Sequence, residues 1–191
     1  IISHTFEKLI SNAACFNKEA KLDNKTIFYH VLPVGYMAGV LNSFLSPIMS
    51  KGSIYLSEIF SAKNSFKFWD DIILNKINTV WLSPSILNLL TRLPISDFKK
   101  KLIKKNLKNI FIGTSPLYPE IRKMFEDKFK IRCLESFGMT ECMIVSIQKI
   151  NDKRDNKSVG KPIKGVKIKI LKGVKNKTKN GEILIQSDFI M

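Results

Sequence analysis

Seven consecutive residues combine an aromatic ring, a glycine, two hydroxyl groups and two carboxylates: Glu135, Ser136, Phe137, Gly138, Met139, Thr140 and Glu141. Phe137 offers a flat face on which a purine can stack, and Gly138 lets the backbone turn and a ligand approach closely. Thr140 can hydrogen-bond a phosphate oxygen, and Glu141 can bind a hard cation such as Mg²⁺. The run predicts a nucleotide site. A strand end, a turn and a solvated glutamate would have the same composition, so the seven residues alone leave both interpretations open.

A second segment could contribute to the same site. Residues 113–117 read Gly-Thr-Ser-Pro-Leu and lie between a predicted strand and a predicted helix. The glycine permits close approach of the backbone, and exposed amides and hydroxyls can bond an adenine or a phosphate. A generic strand-to-helix turn is the alternative interpretation.

Apolar segments typical of strands alternate with segments of helical periodicity through the first 150 residues. Strands are predicted over residues 26–32, 53–56, 79–82, 109–112 and 131–136. Helices are predicted over residues 4–22, 36–44, 65–75 and 119–129, with a further helix beginning at Pro84 and with Ser65 as an N-cap. This alternation predicts an α/β fold in which helices flank both faces of a parallel sheet.

The pattern changes near Asn151. Two predicted strands follow, 166–171 and 182–186, with a turn-forming stretch between them. Alternating apolar and charged residues are typical of half-exposed antiparallel strands. The predicted organisation is therefore a partial α/β subdomain over residues 1–150, followed by the truncated start of a smaller antiparallel β-rich subdomain over residues 151–191.

The positions of three loops predict where a ligand would bind. In a parallel sheet, ligands lie beyond the carboxyl ends of the strands. Residues 33–39, 113–120 and 136–141 all meet that condition. We expect these loops to form one site at one edge of the sheet, so Thr114 and Thr140 should lie on the same side of the molecule.

The chain is strongly basic. Its 191 residues include 32 Lys and Arg against 16 Asp and Glu, which gives a formal net charge of +16. One interpretation is a surface that binds nucleic acid or an anionic membrane. Because the lysines are scattered among asparagines, we favour a compositional bias over nucleic-acid binding. The densest run, residues 99–105, is typical of the solvated face of a short helix or of a linker.

Composition argues against several other kinds of site. Cys15, Cys133 and Cys142 are odd in number and lack paired metal spacing, which indicates a reducing compartment and predicts a cytoplasmic protein. The only histidines, His4 and His30, have no partner at catalytic or metal spacing, so structural roles are predicted. No segment resembles a signal peptide or a transmembrane span.

Taken together, the motifs resemble those of the adenylate-forming (AMP-binding) superfamily, which includes acyl-CoA synthetases, peptide-synthetase adenylation domains and beetle luciferases. Residues 32–39 resemble its Leu-Pro-x-x-His-x-x-Gly segment, and residues 113–117 its Gly-Gly-Ala-Pro-Leu adenine loop. Residues 136–141 resemble its Tyr-Gly-x-Thr-Glu motif. Residues 158–162 and 181–185 resemble the Gly-x-Pro turn and the Gly-Glu-Leu strand that follow. The shared order and spacing extend the resemblance over the whole chain.

The resemblance implies an ATP-dependent ligase, most similar to an acyl-CoA synthetase, that activates a carboxylic acid as an acyl-adenylate. Coenzyme A or a carrier-protein thiol would then take the acyl group. Thr140 and Glu141 would be catalytic, with Thr140 on phosphate and Glu141 on Mg²⁺. ATP or AMP would contact residues of two segments, Gly113, Thr114, Ser115, Pro116, Glu135, Ser136, Phe137, Gly138, Met139 and Thr140. The acid pocket would include Gly35, Tyr36 and Gly39.

The chain departs from the family pattern at several positions. Phe137 stands where tyrosine is commoner, so stacking is kept and the hydroxyl is lost. Tyr36 stands where many acyl-CoA synthetases have histidine, and Thr114 and Ser115 replace smaller residues. The family's glycine-rich phosphate loop would lie before the first residue, and its ribose-binding Asp and catalytic Lys after the last. The resemblance therefore implies that this chain alone does not catalyse the reaction.

The identity of the acid is only partly indicated. Amino-acid-activating relatives carry an Asp near the segment of Tyr36, and no Asp occurs between Asp23 and Asp70. Because an unpaired ammonium in a buried pocket would be costly, we expect a fatty, aryl or other acid without an α-amine. Met37 and Ala38 could also line its pocket. A basic polyanion-binding module and a catalytically degenerate family member are the alternative functions.

Overall fold

The computed structural model describes residues 1–153, 155, 157–171 and 181–191. In these ranges the α-helices are α1 (Phe6–Ala20), α2 (Ser46–Met49), α3 (Phe68–Leu74), α4 (Pro84–Arg92), α5 (Asp97–Asn106) and α6 (Pro119–Phe129). A π-helix (Ala38–Leu45) runs into α2, and a 3₁₀-helix (Ser65–Lys67) runs into α3. The strands are β1 (Ile27–His30), β2 (Ser53–Leu56), β3 (Thr79–Leu82), β4 (Asn109–Ile112), β5 (Cys133–Met139), β6 (Met143–Ile147), β7 (Lys161–Pro162), β8 (Val166–Leu171) and β9 (Glu182–Ser187).

One sheet of seven strands organises the fold, in the order β2-β1-β3-β4-β5-β6-β7. The strands from β2 to β5 pair in parallel, whereas β6 is antiparallel to both β5 and β7. β8 and β9 form a separate antiparallel pair. The predicted fold class is confirmed, because helices flank a mainly parallel sheet and a small antiparallel unit follows it.

Alternate residues of the central strands enter two hydrophobic layers on opposite faces of the sheet. In β3, Trp81 packs into one layer, and Val80 and Leu82 pack into the other. Phe16 of α1 covers the first layer, with its ring 5.3 Å from that of Trp81 and 5.2 Å from that of Phe111. Because both faces are covered, every residue of β3 is buried, as is typical of parallel sheets.

Local hydrogen bonds decide where some helices begin. The hydroxyl of Ser83 accepts from the backbone N–H of Ile86 at 3.3 Å, so α4 begins at Pro84 as predicted. The predicted N-cap at Ser65 is wrong. Ser65 lies inside the 3₁₀-helix, and its hydroxyl donates to the carbonyl of Ala62 at 2.8 Å instead of accepting from a helix N–H.

The helix predicted over residues 36–44 begins at Ala38 and is a π-helix, whose turns contain more residues than those of an α-helix. The hydroxyl of Ser43 donates to the carbonyls of Ala38 and Gly39, at 3.3 and 3.0 Å. The hydroxyl of Ser46 donates to the carbonyl of Leu41 at 3.0 Å. π-helical turns are uncommon and frequently occur at functional sites.

The nucleotide motif lies on a β-hairpin. The sequence predicts a strand that ends at Ser136, whereas β5 runs to Met139 and pairs with β6, a strand that was not predicted. Only residues 140–142 form the turn between them. The side chain of Asn12 on α1 donates to the carbonyl of Ile144 at 3.0 Å and accepts from its N–H at 3.2 Å, which ties α1 to β6.

Residues beyond Asn151 contribute to both sheets. β7 pairs with β6 at the edge of the seven-stranded sheet, whereas β8 and β9 pair with each other. The division of the chain at residue 151 stays a prediction. The turn-forming stretch predicted between β8 and β9 includes residues 172–180, which lie outside the described residues.

Candidate functional site

The three predicted loops meet around two adjoining cavities. The larger cavity has a volume of about 440 Å³ and is lined by residues 114–117, 135–138 and 157–159. The smaller has a volume of about 60 Å³, and its lining includes residues 36–38 and 136–140. The remaining described residues that line the smaller cavity are Asn42, Trp81, Thr114, Met143 and Ile144. Thr114 and Thr140 therefore lie on the same side of the molecule.

Most residues predicted to contact the nucleotide line the larger cavity. Thr114, Ser115 and Pro116 form one side, and residues 135–138 of β5 form another. The volume is within the range of about 300–1,000 Å³ that is usual for small-molecule sites. The half-buried ring of Phe137 lies in the wall that both cavities share.

Gly113 lies behind this wall and is buried. A side chain at this position would place its Cβ 2.9 Å from Ser136 Oγ and 3.0 Å from Trp81 Nε1. Those distances are shorter than ordinary van der Waals contact, so only glycine lets the end of β4 approach β3 and β5 this closely. Gly113 shapes the site without lining either cavity.

A buried ion pair supports the larger cavity from behind. The carboxylate of Glu135, which is 7% exposed, pairs with the guanidinium of Arg122 on α6, which is 2% exposed. The backbone N–H of Glu135 also donates to the side chain of Gln148 at 3.1 Å. Gln148 in turn donates to the carbonyl of Ser158, which lines the same cavity. The ion pair links α6 to β5, and the side-chain amide of Gln148 links β5 to the loop before β7.

The two predicted catalytic residues lie in the turn between β5 and β6. Thr140 lines the smaller cavity, and its carbonyl oxygen lies 2.6 Å from His4 Nε2. The carbonyl of Glu141 accepts from the N–H of Met191 at 3.2 Å. Two segments that are distant in sequence therefore hold the backbone of this turn.

Glu141 fits the requirements of a magnesium ligand only in part. Its carboxylate forms no hydrogen bond or ion pair within the described chain, but it lines neither cavity. The described ranges also contain no cluster of three His, Cys, Asp or Glu residues that could hold a metal. Mg²⁺ is often bound by one or two carboxylates together with substrate phosphates, so a single carboxylate beside Thr140 is compatible with a site that the substrate completes.

The residues predicted to form the acid pocket separate into two groups. Tyr36, Met37 and Ala38 line the smaller cavity. Gly35 and Gly39 line neither cavity. Gly39 instead permits a close backbone approach at the start of the π-helix, since a Cβ there would lie 1.9 Å from the carbonyl oxygen of Pro33.

Sequence reasoning missed several residues of the site. Asn42 lies inside the π-helix and Trp81 in the middle of a buried strand, so neither occupies a loop position that would have indicated ligand contact. Lys157 and Ser158 line the larger cavity. Ser158 belongs to the Gly-x-Pro motif, which was a signal for this part of the site.

The thiol in the turn is not suited to nucleophilic chemistry. Cys142 is buried, and burial raises the pKa of its thiol above the usual range. The thiolate is therefore scarce at neutral pH. The site offers hydroxyls, backbone amides, an aromatic face and a carboxylate, which are groups that bind and position a ligand.

Comparison with known families identifies the fold that carries this site. The pattern of the AMP-binding enzyme family matches residues 1–191, which is the whole chain. The chain belongs to the AMP-binding enzyme family. The predicted resemblance is confirmed.

Known members of the family that resemble the chain include two ligases. Malonate–CoA ligase of Arabidopsis thaliana is 22% identical over 199 residues, which cover 97% of this chain and 33% of that protein. The mitochondrial malonate–CoA ligase ACSF3 of Mus musculus is 23% identical over 153 residues, which cover 76% of this chain and 26% of that protein. The chain spans about a third or less of the length of these relatives.

Solved structures show the same fold. The crystal structure of ATP-bound MatB from Rhodopseudomonas palustris matches with a TM-score of 0.83 and 18% identity, covering 96% of this chain and 36% of that one. This likeness establishes that the chain has the fold of the corresponding part of MatB.

Proposed function

We propose that this chain forms the nucleotide- and acid-binding part of an ATP-dependent ligase that converts a carboxylic acid into an acyl-adenylate and then into a thioester. The observation that carries the proposal is the meeting of Thr114, Tyr36 and residues 136–140 around two adjoining cavities, in a chain of the AMP-binding enzyme family. In this proposal the larger cavity takes the nucleotide and the smaller takes the acid.

The chemistry has two balanced steps. A carboxylate oxygen of the acid attacks the α-phosphorus of ATP, and the bond to the bridging oxygen of pyrophosphate breaks. A thiolate then attacks the acyl carbon, and AMP leaves with its electron pair. Because the reactants supply both nucleophiles, the protein contributes position and charge stabilisation, which the groups of this site can provide.

Individual residues take distinct roles in this proposal. Phe137 stacks on the adenine, and Thr114 and Ser115 present polar groups to it. Thr140 donates its hydroxyl hydrogen to a phosphate oxygen. Glu141 would hold Mg²⁺, which when bound neutralises charge on the phosphates.

Coenzyme A is the thiol that the relatives favour. The two ligases most informative here are named as malonate–CoA ligases, and a carrier-protein thiol is the alternative acceptor with the same chemistry. Competition between the two acceptors for a preformed acyl-adenylate would decide between them.

We infer that the protein works in a reducing compartment, the cytoplasm. All three cysteines are free thiols, with two of them buried. Across the described ranges, no helix combines the length and the apolar composition that crossing a bilayer requires. Microscopy of the complete protein, at the length its gene encodes, would test the compartment.

Acid-dependent exchange of pyrophosphate into ATP tests the proposed function. The complete protein should catalyse exchange with at least one member of a panel of short, fatty and aryl carboxylic acids. Exchange should depend on both the acid and Mg²⁺. A complete, folded protein that binds ATP but shows no exchange with any acid of the panel would instead indicate the catalytically degenerate member.

Two substitutions examine the turn between β5 and β6. Thr140→Val and Glu141→Gln should each lower the exchange rate by about 100-fold or more, because each removes a group that stabilises phosphate charge. Glu182→Gln, at an exposed glutamate of β9, is the matched control and should leave the rate unchanged. If all three variants exchange pyrophosphate at the same rate, Thr140 and Glu141 have no role in the proposed chemistry.

A further inference from the structure

His4 contacts the backbone of the turn that carries Thr140 and Glu141. Its ring nitrogen Nε2 lies 2.6 Å from the carbonyl oxygen of Thr140, which is 136 positions away in sequence. A carbonyl oxygen can only accept a hydrogen bond, so Nε2 carries the hydrogen and His4 is the donor. A side chain that lines neither cavity therefore holds the main chain of this turn.

The other ring nitrogen of His4 supports the same assignment. Nδ1 is closed to solvent and has no hydrogen-bond partner among the described residues. The opposite tautomer, with its hydrogen on Nδ1, would bury a donor that nothing in these ranges accepts, and it would lose the contact with Thr140. The carbonyl of Thr140 is therefore the polar group that orients the imidazole ring.

The start of α1 fixes the position of His4. The hydroxyl of Thr5 accepts from the backbone N–H of Lys8 at 3.3 Å and caps the helix, so His4 is the residue immediately before the cap. Further along α1, Asn12 bonds both backbone groups of Ile144 in β6. The same helix is thus attached to the hairpin at its turn and at its second strand.

One hydrogen bond at this carbonyl orients both residues of the turn that are proposed to be catalytic. The peptide unit between Thr140 and Glu141 is planar, and its plane contains the Cα atoms of both residues. A donor that fixes the carbonyl oxygen therefore fixes the plane from which both side chains project. The next peptide unit is held as well, since the carbonyl of Glu141 accepts from the N–H of Met191 at 3.2 Å.

We propose that His4 is a positioning residue for the adenylation step, acting through its hydrogen bond to the Thr140 carbonyl. This inference rests on the proposed function. His4 holds the turn so that the hydroxyl of Thr140 and the carboxylate of Glu141 face the phosphates in the orientation that the transition state requires. Such orientation matters for rate, because a misplacement of about 1 Å can cost about 100-fold.

Three substitutions of His4 in the complete protein test whether a donor at the right distance is what matters. His4→Phe keeps a ring and removes both nitrogens. His4→Gln puts an amide N–H about as far from the backbone as Nε2, whereas His4→Asn puts it nearer, at the distance of Nδ1. In acid-dependent pyrophosphate exchange, kcat should fall by about 10-fold or more in His4→Phe and His4→Asn, and by less than about threefold in His4→Gln.

The loss should appear in kcat and not in the binding of ATP. Thr114, Ser115 and Phe137 line the larger cavity and lie outside this turn. The KM for ATP should therefore stay within about twofold in all three variants, as expected when an interaction that is made only in the transition state is lost.

His30, the other histidine of the chain, supplies a matched control. It is buried in β1, its ring lies 6.2 Å from that of Phe44, and it lines neither cavity of the site. Its Nε2 has no hydrogen-bond partner among the described residues. His30→Phe makes the same chemical change as His4→Phe and should leave kcat unchanged.

Double-mutant cycles test whether His4 acts through the turn. Adding His4→Phe to Thr140→Val or to Glu141→Gln should lower kcat by less than the product of the two separate losses, because a group that His4 positions is already absent. Losses that multiply in both cycles would show that His4 acts on neither residue, and they would overturn the inference.

The protonated ring nitrogen can be observed directly, which decides the matter even where His4→Phe or His4→Asn does not fold. In the complete wild-type protein labelled with ¹⁵N-histidine, nuclear magnetic resonance should show a hydrogen on Nε2 of His4, and the signal should be absent from His4→Gln. A His4 ring without a hydrogen on Nε2 at the pH of the exchange assay would overturn the inference.

The outcomes separate this inference from the proposed function. If kcat is the same in wild type and His4→Phe, or falls as far in His4→Gln as in His4→Asn, His4 does not position the turn and the ligase stands. If the wild-type protein shows no exchange with any carboxylic acid, the ligase is overturned, and the role of His4 with it.

Discussion

Thr114 has a backbone conformation that β-branched residues rarely adopt. Its φ is 77°, in the left-handed region that favours glycine. The residue is exposed and lies in the wall that both cavities share, and the corresponding position of the adenine loop in relatives is a glycine by resemblance. Non-glycine residues in this region cost about 1–3 kcal/mol and persist where the site requires their conformation.

Replacement of Thr114 by glycine should relieve this strain. Thr114→Gly should raise the free energy of unfolding by about 1 kcal/mol, because glycine adopts a positive φ without steric cost. Ser115→Gly is the matched control, since Ser115 has no positive φ and the substitution only adds freedom to the unfolded chain. Urea denaturation of the complete protein measures both. A Thr114→Gly variant that is less stable than wild type would contradict the prediction.

Among the elements, α6 and β5 are joined by the ion pair between Arg122 and Glu135 behind the larger cavity. Both groups are almost fully buried, so each charge depends on the other for compensation. β5 carries both Glu135 and Phe137. The position of the Phe137 ring therefore depends on the ion pair between Arg122 and Glu135, two residues earlier in the strand.

Removing one partner of the Arg122–Glu135 ion pair should destabilise the fold much more than removing both partners. Arg122→Met should lower the free energy of unfolding by about 3–5 kcal/mol because it leaves a buried carboxylate unpaired, and the double variant Arg122→Met/Glu135→Leu should recover most of that loss. Lys100→Met breaks the 2.8 Å pair with Asp97, which is 88% exposed, and should cost less than about 1 kcal/mol. A double variant no more stable than Arg122→Met would show that the pair is not what couples these elements.

At the scale of the whole molecule, the basic residues that give the net charge of +16 lie mostly outside the two cavities. The lysine-rich run at residues 99–105 lies in α5, which confirms the helical alternative over the linker. Lys99 pairs with Asp70 at 2.5 Å, and Lys100 with Asp97, so part of this charge is neutralised locally. Of the lysines in the described ranges, Lys157 lines the larger cavity.

Polyanions should therefore not compete for the site. Double-stranded DNA should leave acid-dependent exchange by the complete protein unchanged at about 0.15 M salt, where charges are screened beyond about 8 Å. Lys101→Glu/Lys105→Glu, at exposed positions of α5, should keep kcat/KM within about twofold, whereas Lys157→Glu should raise the KM for ATP. Inhibition by DNA that falls steeply with salt and disappears in the double variant would favour the polyanion-binding function instead.

The sequence by itself determined the family and most of the core elements. β2, β3, β4, β8 and α6 begin and end where periodicity and flanking Pro, Asn and Gly residues place them, because these signals act over a few neighbouring residues. The adenine loop and the motif that contains Phe137 each consist of consecutive residues, so both could be found from residue types and spacing. The inactivity expected of the 191-residue chain alone stays a prediction.

Tertiary structure alone decided how these motifs meet. The strand β6 pairs with β5 and β7, and Asn12, which is 132 positions from Ile144 in sequence, ties it to α1. Distant segments therefore help to set the place of the hairpin that carries Thr140. Trp81 and Asn42 have ordinary core positions in their own elements, and only the packing of β3 against the π-helix brings both residues to one cavity. Contacts between distant segments set the shape and charge of the site, because local sequence fixes an element but not its neighbours.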